Sequence, residues 1–148
     1  MVVCQGGKFG GWALYIKNGK PGFTYNWVGL KQYTIASTQE LTPGKHTVVY
    51  DFKYDGGGIG KGGTGTISVD GNKVAEGRIE NTNASVFSVD DLADVGTDDG
   101  TWVTDYGASA KFNGKINKVT IQTGKAALSK EDQKTLEEEK SEYEMSIE

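Results

Sequence analysis

His46-Thr47-Val48-Val49-Tyr50-Asp51-Phe52-Lys53-Tyr54 puts Val48, Tyr50, Phe52 and Tyr54 on one side and Thr47, Val49, Asp51 and Lys53 on the other. A side-chain period of two belongs to a β-strand with one buried face, and that face needs a second layer to cover it. Pro43-Gly44 marks a turn before this strand. After it, residues 65–69 lead into Asp70-Gly71 and out through residues 73–79, which reads as a hairpin. Upstream, residues 12–17 and 23–28 flank Asn18-Gly19, a dipeptide suited to the tight turn of a second hairpin, and residues 33–37 follow as a third strand. Residues 84–89 and 110–123, the latter bent at Asn113-Gly114, are expected to be two further strands. Seven or eight short strands joined by glycine-rich turns predict an all-β fold, an antiparallel β-sandwich whose two sheets cover each other.

The composition agrees with one folded domain. Glycine takes 22 of the 148 positions and proline 2, as tight turns between strands require, and three Trp, seven Tyr and five Phe supply a core. The domain is expected over residues 7–124, with residues 1–6 as a disordered or appended leader. Residues 125–148 form an acidic tail, expected to be a short helix begun by Ser129, with Leu136, Tyr143 and Ile147 on one stripe. Residues 1–128 carry 13 basic and 12 acidic side chains, whereas residues 129–148 carry three and eight. A neutral body with an acidic tail gives no footprint for nucleic acid. No apolar run is long enough for a membrane span. A single cysteine, Cys4, allows no intrachain disulfide and says nothing about redox compartment.

Three sets of residues carry chemical signals. Six aspartates fall within residues 90–105, and Asp94, Asp98 and Asp105, in its glycine-rich part, are the candidate carboxylates for a hard cation, a structural calcium. The spacing is not that of an EF-hand, and an acidic loop whose side chains cap turns is the competing reading. In the run from Gly56 to Thr64, Gly58, Gly60 and Lys61 could hold an anion on backbone N–H groups. A nucleotide loop is excluded there, because Gly62 stands where a Ser or Thr would meet magnesium. Trp27, Trp102 and Tyr106 are candidate platforms for stacking sugar rings, with core packing the favoured reading for Trp27 and Tyr106 and exposure more expected for Trp102. One His and one Cys give little support to a His/Cys metal cluster or a Cys/His pair. No cofactor is required.

Gly10-Gly11-Trp12-Ala13-Leu14-Tyr15, the stretch from Tyr54 through the glycine run to Thr64, and Asp94-Val95-Gly96-Thr97-Asp98-Asp99-Gly100 together resemble the C-terminal accessory domain of bacterial arylsulfatases. Phe23-Thr24-Tyr25-Asn26 and Phe112-Asn113-Gly114-Lys115-Ile116 fit the same order, so the resemblance spans roughly residues 7–123. It implies a concanavalin A-like, lectin-type jelly roll that follows an α/β sulfatase domain, in an exported or periplasmic parent. Those enzymes use a formylglycine made in a Cys/Ser-x-Pro-x-Arg context beside bound Ca²⁺. Here Cys4 is followed by Gln5-Gly6-Gly7-Lys8, so this chain is expected to have no sulfatase turnover. The expected role is to pack on and support the catalytic sulfatase domain of the parent. The alternative is a carbohydrate-binding module, calcium-dependent or not, for sulfated glycans.

Overall fold

The computed structural model describes residues 1–84, 91–124, 130–131, 133–135 and 137–138. Among these described residues, eight strands form two antiparallel sheets. The larger is built from β1 (Val3–Gly7), β2 (Gly10–Lys17), β3 (Lys20–Trp27), β4 (Lys31–Ala36) and β8 (Ala93–Val95), in the order β4-β3-β2-β1-β8. The smaller holds β5 (Val48–Tyr54), β6 (Gly63–Val69) and β7 (Asn72–Ile79) in sequence order. Each sheet is thus a meander of consecutive strands, and only β8 returns to the first one.

The local chemistry explains the hairpins. Asn18 and Gly19 have φ of 52° and 75°, and Asp70 and Gly71 have 51° and 83°. Both dipeptides sit in the left-handed region, which matches the twist of the flanking strands and which Asn, Asp and Gly tolerate. In β5, Val48, Tyr50, Phe52 and Tyr54 are half-buried while Val49, Asp51 and Lys53 are exposed, the alternation expected from sequence.

The two sheets meet over Phe23, Tyr25, Tyr33, Ile35, Ile67 and Ile79, with Phe23 stacked on Tyr50 at 3.5 Å between ring centroids. Each such buried side chain stabilises the fold by about 1.5–3 kcal/mol relative to exposure. Several glycines make room for these rings. A Cβ on Gly77 would lie 2.9 Å from Ile35 Cγ1, and one on Gly65 would overlap Ile35 and the Tyr50 hydroxyl.

The second face of the larger sheet is covered too. Cys4, Ala13 and Tyr15 pack there against Met1, Val103, Tyr106 and Ala110, so a strap of irregular chain lies over the sheet. Asn26 staples it: its Nδ2 donates to Val103 O (3.0 Å), Lys8 O (3.0 Å) and Gly7 O (3.3 Å), and its Oδ1 accepts from Gly29 N–H (3.0 Å).

Three sequence expectations change. Residues 1–6, expected as a disordered or appended leader, run into the larger sheet: residues 3–7 form β1, between β2 and β8, and Cys4 is fully buried. Residues 110–123 carry no strand; Phe112 N–H donates to Gly96 O and the rest forms no ladder. Ile116 and Val119 there are only half-buried. β8 lies instead in the aspartate-rich segment. The strand expected over 84–89 falls almost wholly on residues outside the described ones, as do Ser129, Leu136, Tyr143 and Ile147. The described residues between 130 and 138 are helical and exposed, with Lys134 and Glu138 paired at 3.5 Å. No helix among the described residues is long and apolar enough to cross a membrane.

Candidate functional site

The richest chemistry sits where β1, β8 and the strap meet. Alternation along β1 turns Cys4 to the strap side, opposite Ala13 on β2 and opposite Asp94 on β8. Beyond β8 the chain reverses at Gly96, whose φ of 83° suits glycine and whose N–H donates to Val2 O. That reversal brings Asp98 under the sheet, where it is 4% exposed. Asp98 Oδ2 accepts from Tyr106 O–H (2.7 Å) and Val103 N–H (3.2 Å), while Oδ1 is buried without a hydrogen-bond partner among the described residues. Asp94 Oδ2 accepts from Asp99 N–H at 3.3 Å. One ligand atom from each of Cys4, Asp94 and Asp98 lies within 4.8 Å of the others.

Burial, followed by the charge of Asp98, pushes the Cys4 thiol up to about 12. Burial also raises the Asp98 carboxyl, against the opposing pull of the Tyr106 hydrogen bond. The Tyr106 phenol is raised by burial first and by Asp98 second. All three shifts disfavour negative charge at one place, as expected where anions are crowded out of water.

Of the expected cation ligands, Asp94 and Asp98 come together and Asp105 does not join them. Asp105 is exposed and turned to Lys17, with its carboxylate 3.5 Å from Nζ. The Gly107 N–H, then Lys17, hold the Asp105 carboxyl below the usual carboxylate range. The sequence reading missed Cys4. The signal available was the β-prone run Val2-Val3-Cys4, too short to be taken as a strand.

The stacking residues do not form a platform. Tyr106 is buried and its hydroxyl engaged by Asp98, in keeping with the core packing expected of it rather than with a sugar platform. Trp27 packs against the core between the sheets. Trp102, 39% exposed, contacts the Tyr106 ring at 5.6 Å on the strap side. Part of the glycine loop is internally paired. Tyr54 O–H donates to Gly58 O, Lys61 N–H donates to Tyr54 Oη (2.9 Å), and Thr82 donates to the carbonyls of Gly60 and Lys61. The Lys61 amide that an anion would require is therefore already committed.

A shallow groove of about 230 Å³ runs past Pro21, Ser37, Leu41, His46, Asp70 and Val74. In it Thr42 Oγ1, His46 and Asp70 stand in line: Oγ1 is 3.3 Å from Nε2, and Nδ1 is 2.7 Å from Asp70 Oδ2. The connectivity is that of a nucleophile, base and orienting acid. The protonation is wrong for it. Nε2 also lies 2.7 Å from Thr42 O, which can only accept, so the ring must donate there and cannot take a hydroxyl proton.

The chain matches no family model, no curated protein and no solved structure, so its resemblance to arylsulfatase accessory domains rests on the quoted motifs alone.

Proposed function

We propose that this chain is a non-catalytic accessory domain that packs by one end of its sandwich against a catalytic partner, a sulfatase domain being the partner its motifs imply. The observation that carries this reading is an apolar end. Phe9, in the β1–β2 turn, is 62% exposed, and Leu30, in the β3–β4 turn, is 78% exposed, with Val28 beside it. The two turns are neighbours, since a Cβ on Gly29 would lie 3.6 Å from Phe9 Cα. Lys8 N–H donates to Thr101 Oγ1, which brings the strap next to Trp102 to the same end. Exposed apolar side chains scattered singly need no explanation, but large ones grouped on adjacent turns mark an interaction surface. Domain interfaces within one chain are built from such surfaces. The glycan-binding alternative keeps only Trp102 of its three rings.

The test joins the chain to a bacterial arylsulfatase catalytic domain in place of that enzyme's own C-terminal domain. The fusion is expected to melt above the catalytic domain alone, and Phe9→Ser with Leu30→Ser should remove the gain while leaving the sandwich folded. A fusion that melts no higher than the catalytic domain alone would overturn the reading. So would turnover of an aryl sulfate by this chain by itself.

A further inference from the structure

The thiol of Cys4 and the carboxylates of Asp94 and Asp98 reach one point from β1, β8 and the loop that follows β8, and the proposed accessory role uses none of them. We propose that they bind one divalent ion of the zinc class, through Cys4 Sγ and one carboxylate oxygen of each aspartate, with a fourth position open to water.

Two independent observations point to a ligand. The first is the convergence of three metal-ligating side chains within 4.8 Å. The second is Asp98 itself: Val103 and Tyr106 hold Oδ2, and Oδ1 is left buried with no partner among the described residues. A buried acceptor without a partner costs about 1–3 kcal/mol, more when charged, and a cation supplies the missing contact. Among the described residues, no lysine, arginine or histidine pairs with Asp94 or Asp98, and the Met1 ammonium, whose charge acts on Cys4 and Asp98, makes its hydrogen bond to Ala110 O (2.8 Å) instead.

The donor set selects the metal class. Calcium takes six to eight oxygens and magnesium an oxygen octahedron, and neither is served by a sulfur ligand. Zinc accepts thiolate and carboxylate together in a tetrahedron, whose bond lengths place neighbouring ligand atoms roughly 3.5 Å apart. The three side chains must therefore draw in by about an ångström, which β8, a three-residue edge strand, can accommodate. On binding, the thiol proton leaves to solvent as Sγ takes the metal. Tyr106, donating to Asp98, is a positioning residue for this site.

Titration of the full chain, under reducing conditions, with Co²⁺ tests the proposal. One equivalent is expected to give a thiolate-to-cobalt charge-transfer band and the intense visible bands of four-coordinate cobalt, both abolished by Zn²⁺ and unaffected by excess Ca²⁺. Cys4→Ser should remove the charge-transfer band. Asp94→Asn should weaken Co²⁺ binding by at least ~10-fold and Tyr106→Phe by ~10–100-fold, while Asp105→Asn leaves it unchanged. Circular dichroism checks that each variant folds. If Cys4→Ser does not fold, Asp94→Asn, on the edge strand, carries the test. The proposal is overturned if no charge-transfer band appears, if Ca²⁺ competes, or if folded Asp94→Asn binds cobalt as the parent does.

Discussion

His46 is held at both ring nitrogens by acceptors, Asp70 at Nδ1 and the Thr42 carbonyl at Nε2, and only the imidazolium can donate to both. The Asp70 hydrogen bond first, and the Thr42 carbonyl second, raise His46 above its ordinary 6.5. Asp70 is held below its ordinary 3.8, chiefly by the Thr47 N–H and then by His46. The contribution of the charged histidine is therefore complete below pH 6.5 and is lost as pH rises through the raised value. That of Asp70 is present above pH 3.8 and lost as pH falls through the lowered one. Between about pH 5.5 and about pH 8.5 the urea midpoint is expected to fall further in the parent chain than in His46→Gln. Parallel declines would mean that the pair contributes nothing to folding. At this same scale, glycine is the residue type whose meaning sequence conveys least. Asn18-Gly19 announces its turn, because αL tolerance is a property of the residue. Nothing beside Gly65 or Gly77 in sequence announces that Ile35 will lie against it, because that neighbour comes from another sheet.

Among the elements, the strap over the larger sheet is the one with no regular structure, and hydrogen bonds hold it in place of a ladder. Asn26, 2% exposed, bonds Val103 and two carbonyls of the β1–β2 turn, so its removal leaves several buried polar groups unpaired. Asn26→Ala is expected to cost about 2–4 kcal/mol in guanidinium unfolding and to speed amide exchange in residues 98–106. A loss below about 1 kcal/mol would show that the packing of Val103 and Tyr106 holds the strap alone. The element-level errors share a cause. Residues 110–123 alternate as a strand does, yet alternation says only which side chains would face inward, and not whether a sheet edge is free to receive them. Residues 93–95 lack a convincing pattern and still form β8, because β1 offers that edge.

On the scale of the molecule, β1 joins β2 to β8 and carries Cys4 into the core. Removal of residues 1–6 is expected to abolish the cooperative thermal transition and collapse the dispersion of the amide spectrum. A truncated chain that melts like the parent would make β1 an appendage. The sandwich class, the two hairpin turns and the buried side of β5 were legible in the order of residues, since side-chain alternation and left-handed turn preference act between near neighbours. Two of the three candidate metal ligands were legible as well, Asp94 and Asp98. Three features were not: that Cys4 completes the cluster, that Asp105 leaves it for Lys17, and that Tyr106 is buried against Asp98. They depend on which strand pairs with β1 and on how the strap closes over the sheet. Those are long-range pairings whose free energy comes from surfaces brought together only by the finished fold.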